Sequence, residues 1–306
     1  MLQIIWQGTD ITKSVSVTGC EVKDTCGARC DSLTLEMDHA ATWYAWGPET
    51  DDEIEVSEGG YGTGKLYLSA VAPEGDGFRV IATSLPARAR QRAWDSFTDA
   101  TLEDVFRRAA AEVNMGYALF GVDRSARLPY WERGMESPAA MLSRLMDLEG
   151  AVLKCVNGKL TGIGIEYAAA LPPACRIEVK ADTDGASYER RDGDRLRALT
   201  VLTPFARVTA EDTGALLQRR ETRTDVPARD AVTAGRWARG LLRALNRKSE
   251  TLSVESDLNP AMTAMARVDV TGNTDASGVW LVEEAEHDLV NLSTRARLFR
   301  PIGTIR

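Results

Sequence analysis

The chain has 306 residues, 44% of them hydrophobic and 27% charged, enough for one large domain or two to three smaller ones with real cores. A net charge of −8 and a pI of about 5.1 argue against a surface built to neutralise nucleic-acid phosphates. No apolar run reaches the length of a bilayer span, and Met1-Leu2-Gln3-Ile4-Ile5-Trp6 lacks the parts of a secretory signal, so a protein folded in a cytoplasm without stable membrane association is expected.

In chain order, Gln3–Gln7 and Ser14–Lys23 read as strands joined at Gly8-Thr9-Asp10, and Asp24–Cys30 as a turn. From Asp31 the period is two: Leu33, Leu35 and Met37 alternate with Thr34, Glu36 and Asp38. Ile54 and Val56 alternate likewise with Glu53, Glu55 and Ser57, and Trp46-Gly47-Pro48 turns the chain between the two strands. Lys65–Val71 and Phe78–Thr83 extend the series. Some six short strands between turn signals predict a small antiparallel barrel over residues 1–92. Arg88, Arg90 and Arg92 then form a basic run that reads as a solvated face.

Residues 93–167 read as a mixed α and β insert. Thr101 is a helix N-cap with acids in the first turn, Leu102, Val105, Phe106, Ala109 and Val113 are the buried stripe, and Gly116 is the expected left-handed stop. A strand follows at Tyr117–Gly121. Ser137-Pro138 starts a second helix with Met141, Leu142, Leu145 and Leu148 inward, closed by Gly150. Asn157-Gly158 marks a hairpin between Ala151–Val156 and Lys159–Ile163. Ala168–Ala174 reads as a linker. Residues 168–306 then form a second β-barrel, with strands at Cys175–Lys180, Ser187–Arg191, Leu196–Thr203, Arg207–Ala210, Thr251–Glu255, Ala264–Thr271, Val279–Asp288 and Ser293–Phe299. A helix is inserted at about 227–247, its apolar face Trp237, Leu241, Leu242 and Leu245. The expected fold is thus mainly β, two small barrels flanking an α+β insert.

Signs of catalysis are missing. His39 and His287 each stand beside an aspartate at a strand end, with no nucleophile-elbow pattern to serve them, and read as surface or edge histidines. Cys20, Cys26 and Cys30 with His39 have ligand chemistry for zinc, but their spacing matches no common zinc pattern. Reduced cysteines packed as small hydrophobes are the expected state. Gly59–Gly64 lacks the lysine and following helix of a phosphate loop. Glu49, Asp51, Asp52, Glu53, Glu55 and Glu58 form an acidic cluster without the alternation of a calcium loop, expected as a solvated or channel-facing patch. No enzyme activity, cofactor or metal is expected.

The order of these features resembles the baseplate hub family of contractile tails, of the phage late control protein D type, which is similar to the N-terminal module of the type VI secretion spike protein VgrG. The resemblance rests on Asp31–Asp38 with Trp46-Gly47-Pro48 and Ile54-Glu55-Val56, on Thr101–Phe106, on Glu136-Ser137-Pro138 through Gly158-Lys159-Leu160, and on Leu258–Met262 with Gly278–Val282 and His287. Ala261 departs from the family, which usually has glycine there. The resemblance implies a structural virion protein of a phage tail, or of a phage-derived injection device, assembled in the bacterial cytoplasm. It implies a homotrimer whose paired barrels form a six-part ring joining the hexameric tail tube to the central spike. Baseplate wedge or tape-measure proteins would be its neighbours, and DNA would meet it only in passage. A tail-associated peptidoglycan hydrolase and the tail-tip hub of a non-contractile tail are the competing readings.

Overall fold

The computed structural model describes the chain except residues 28, 40, 42, 44, 181–184, 273, 274, 304 and 306. In the first β unit the sheet order is Ser16–Thr25, Ser32–Asp38, Gly77–Thr83, Leu66–Glu74, Glu53–Glu58 and Gln3–Trp6, all antiparallel. Period-two alternation decides which face is dry. Leu33, Leu35, Met37, Ile54 and Val56 are all buried, while their odd-faced neighbours are not. The connection between Asp38 and Glu53 does more than turn the chain. It drives Trp43 beneath the sheet, where it meets Trp6 at 4.6 Å and Phe78 at 5.2 Å between ring centroids.

The second β unit contains Cys175–Glu178, Ser187–Arg190, Glu250–Asp257, Arg267–Thr271, Gly278–Asp288 and Ser293–Phe299. The two units are hydrogen-bonded to each other through the Gly278–Asp288 strand. Its first half pairs with Arg267–Val270, and its second half pairs with Glu21–Thr25 of the first unit. Along its other edge runs Ser293–Phe299. One sheet of fourteen described strands therefore passes through both units. Each keeps its own core, around Leu33, Leu35 and Val80 in the first and Leu252, Val268 and Trp280 in the second.

The insert begins with a feature the sequence reading missed, an antiparallel ribbon of Ala93–Thr101 and Arg127–Glu136. Helix α1, Leu102–Glu112, is closed at its start by a capping box: the Thr101 hydroxyl accepts from Asp104 N–H, and the Asp104 carboxylate accepts from Thr101 N–H. The left-handed residue that ends it is Asn114, at φ 55°, not Gly116, which opens the strand Gly116–Phe120. Helix α2, Pro138–Leu148, starts at the Ser137 cap and stops at Gly150, φ 68°. Asn157 and Gly158, both at positive φ, turn Ala151–Val156 into Lys159–Gly164, and the latter strand also pairs in parallel with Gly116–Phe120.

The expected linker is partly helical: α3 spans Ile165–Ala170 and buries Ile165 and Ala168. Helix α4, Ala231–Asn246, lies in sequence within the second β unit but packs on the insert. It shares one core with α1 and α2, together with the small sheet of Ala198–Leu202, Arg207–Glu211 and Arg220–Arg223. Its inward face is Ala234, Trp237, Ala238 and Leu242. Leu241 is half-buried and Leu245 exposed, against expectation, because Gly240 brings the helix down on the end of α2 and rolls those leucines outward. A Cβ at Gly240 would lie 1.9 Å from the Leu148 carbonyl oxygen.

Candidate assembly surfaces and the buried junction

Where the two β units and the insert meet, one cation and two carboxylates are buried together. Lys154 projects from the Ala151–Val156 strand into the first unit, pairing with Asp24 and lying 3.3 Å from the Asp31 carboxylate. The carboxylates are also held by backbone. Asp31 accepts from Thr25 N–H at 2.9 Å, and Asp24 accepts at 3.1 Å from Ala264 N–H of the second unit. Burial pushes the Asp31 carboxyl up to about 6 despite the opposing pull of Lys154, while Lys154 is held firmly protonated because its two acidic neighbours outweigh its own burial. Two acids sharing one base explain both directions. Asp24, Asp31 and Lys154 do not line the nearby cleft between first unit and insert, so the cluster holds three parts of the chain together. Spacing along the chain gave no signal for it. A lone lysine in the apolar run Ala151-Val152-Leu153-Lys154-Cys155-Val156 was the available clue.

His287 belongs to the same junction, which corrects the surface reading. It is fully buried, its Nδ1 is 3.0 Å from the Thr294 hydroxyl, and its ring lies 4.2 Å from that of Tyr61 in the first unit. Burial pushes its pKa below the usual histidine value. His39 is exposed at the end of its strand, at φ 62°. The two histidines are thus not brought together.

The cysteines do not converge either. Cys20 packs in the first core, Cys26 packs beside Leu281 and Phe299 and donates to the Glu283 carbonyl, and Cys30 is half-buried. Burial pushes the Cys20 and Cys26 thiols up to about 12. Among the described residues no cluster of three or more His, Cys, Asp or Glu has the geometry to hold a metal ion. Gly59 and Gly60, both at positive φ, make a tight hairpin that carries the buried Tyr61.

The acidic cluster is dispersed among structural tasks. Asp52 accepts from the Glu49 N–H at 2.7 Å and from Gln7, Asp51 accepts from Ala87 N–H at 2.7 Å, Glu53 pairs with Lys65, and Glu58 with the Met1 amino group. The carboxylates of Glu49 and Glu55 have no hydrogen-bond or ion-pair partner among the described residues, and both residues are exposed. Two arginines of α4 and the one that caps it turn into contacts within the chain, Arg236 to Glu149 at 2.8 Å, Arg243 to Glu166 and Arg247 to Glu283, while Arg239 is exposed. Arg88, Arg90 and Arg92 are exposed, and Arg90 donates to Ser69 and Thr83.

Apolar side chains stand out where no part of the chain covers them. Trp94 is 63% exposed on the ribbon, Phe205 64% at the tip of the Ala198–Leu202 hairpin, and Val232 78% at the start of α4. Leu202 joins Phe205 at that tip, and Leu216 and Leu217 are exposed at the other end of the small sheet, in the connection from Glu211 to Arg220. Such groupings mark surfaces that associate. Among the described residues no helix is long and apolar enough to cross a membrane.

No family model matches the sequence, and no curated protein matches it. Solved structures do. A tail protein from Neisseria meningitidis MC58 superposes with a TM-score of 0.76 at 12% identity, over 98% of this chain and 96% of that one. The 43 kDa tail protein of prophage MuSo2 from Shewanella oneidensis gives 0.73 at 13%, over 98% of both. The E. coli c3393 protein, a type VI secretion component described as similar to the T4 tail proteins gp27 and gp5, gives 0.54 at 9%, over 95% and 74%. The chain therefore has the mainly β fold shared by these tail proteins and this type VI secretion component.

Proposed function

We propose that this chain is the structural hub of a contractile-tail baseplate, in a phage or a phage-derived injection device. Three copies form a ring that joins the hexameric tail tube to the central spike, with wedge or tape-measure proteins around it and DNA passing through without binding. It acts as a scaffold, not as an enzyme, and resides in the virion. The observation that carries the reading is the full-length match: both β units, the insert and their connections superpose on tail proteins of almost the same extent. The uncovered apolar side chains around Trp94, Phe205 and Val232 support it, because subunit and partner contacts would bury them. With 45 acids against 37 bases, the reading assigns the axial wall a net negative charge, and the exposed Glu55 belongs to it. An acidic wall repels DNA and lets it slide.

The test is co-expression with a central spike protein of the same tail, followed by native mass measurement and imaging. Three copies of the 33.4 kDa chain, roughly 100 kDa, are expected per spike, seated between tube and spike with an acidic lumen. Any other stoichiometry, or a lumen lined mainly by arginine, overturns the proposal.

A further inference from the structure

A cleft of about 740 Å³ opens between the first β unit and the insert. Its floor is apolar, made by Leu85, Ala89, Leu153 and Leu241 among others, and its rim carries five arginines against three acids. That reverses the sign of the chain as a whole, which has more acids than bases. Arg144 is fixed by Glu136 at 2.9 Å and by stacking on Trp131, and Arg223 by Asp225 at 2.6 Å. Arg92 makes no hydrogen bond or ion pair among the described residues, and Arg29, though 2.9 Å from Glu284, leaves its side chain mostly in solvent.

The mouth of the cleft is strained and held in that state. The ribbon bulges between Arg133 and Glu136, and Met135 sits there at φ 55° with its side chain exposed. A long apolar residue in the left-handed region is strained and persists only where its surroundings impose it. Arg133 imposes it. Fully buried, it donates to the Glu136 carbonyl at 2.6 Å, to the Gln91 carbonyl at 2.9 Å and to both oxygens of Glu112. Met135 and the exposed Trp94 beside Gly134 thus form an apolar lip next to unpaired positive charge.

We infer that this cleft is a docking site for a segment of another protein that presents aliphatic side chains flanked by carboxylates. The aliphatic groups fill the floor, and the carboxylates meet Arg92 and Arg29. A second copy of this chain suits the cleft less well, because four of the six carboxylates of its acidic cluster, Asp51, Asp52, Glu53 and Glu58, are already engaged and only Glu49 and Glu55 are free. The inference goes beyond the hub reading and does not depend on it.

The experiment uses the full chain and two fluorescein-labelled peptides, one alternating leucine with glutamate and one alternating leucine with lysine, read by fluorescence anisotropy. The glutamate peptide is expected to bind saturably, at least about tenfold tighter than the lysine peptide, and to weaken as salt rises. Arg92→Glu, at an exposed position, should weaken it about tenfold. Ala139→Trp, which fills the cleft from α2, should abolish binding while the circular dichroism and melting curve stay unchanged. Equal affinity for both peptides, or full binding by Arg92→Glu or Ala139→Trp, overturns the inference. So does self-association of the native chain that Ala139→Trp abolishes, since a second copy would then be the occupant.

Discussion

Replacing Lys154 by methionine removes one positive charge and keeps nearly the same volume. The two carboxylates it leaves behind, Asp24 and Asp31, are each 8% exposed at the side chain, and each keeps only backbone donors. Breaking a buried ion pair from one side costs about 3–5 kcal/mol, because the remaining charge is neither solvated nor paired. For a chain of this size that lowers the melting temperature by on the order of 10 °C. Urea unfolding followed by tryptophan fluorescence measures it. Changing Asp24 and Asp31 to asparagine in the same variant should restore most of the loss, since the uncompensated charges go.

The pH dependence gives a second readout. The folded Asp31 carboxyl lies at about 6, above its unfolded value of about 3.9. The folded state therefore holds the proton more tightly, and this contribution is full below about pH 4 and lost as the pH rises through about 6. Without Lys154 the window moves upward, so the Lys154→Met penalty should be smaller at pH 5 than at pH 7.5. His287, pushed down by burial, acts in the opposite sense: its contribution is lost as the pH falls below the ordinary histidine range. A penalty below about 1 kcal/mol, or one that does not change with pH, would refute the assignment of an essential buried cation.

Gly240→Ala places a methyl against the Leu148 carbonyl and the Gly150 nitrogen, both backbone atoms that cannot swing away. We expect a loss of about 1–3 kcal/mol or more and a detached α4, read by exposure of Trp237 to a fluorescence quencher; an unchanged urea midpoint would contradict the packing. In the native protein Cys20, Cys26 and Cys155 should resist a thiol reagent while all five cysteines react in urea, and chelator should leave the melting curve unmoved. Stoichiometric zinc by elemental analysis would overturn the reading of these as packed thiols.

What could be read from the sequence was what local pattern controls. The alternation of Leu33, Leu35 and Met37, the caps at Thr101 and Ser137, and the Asn157-Gly158 turn all follow from contacts within a few residues, and each stands where it was expected. The strands that were missed lack that pattern. Arg220-Glu221-Thr222-Arg223 has no apolar residue at all and is held by parallel pairing with Ala198–Val201. The Ala93–Thr101 strand buries Phe97 alone and shows Trp94 to solvent, so its apolar residues argued for nothing periodic. The junction was out of reach for another reason. Asp24 and Lys154 are 130 residues apart, and only the folded chain brings them together.

The manner in which the two β units are joined bears on what such a chain can do. Along Gly278–Asp288 the pairing with Ser293–Phe299 shifts between Val282 and Glu284, leaving Glu283 as the extra residue of a bulge. A bulge bends a strand and increases its twist. It lies where the strand leaves Arg267–Val270 and takes up Glu21–Thr25, so one strand turns from one unit into the other without a linker. Glu283 then fastens the bend: its carbonyl accepts from Cys26 of the first unit, and its carboxylate faces Arg297 at 3.5 Å and Arg247, at the end of α4, at 3.9 Å. Two β units coupled through a shared strand, with the insert locked beside them by Lys154, have little freedom to hinge. On the hub reading this is the required property. Three copies present six β units to a six-fold tube only if the two in each copy keep a fixed spacing and tilt, and here backbone hydrogen bonds set both.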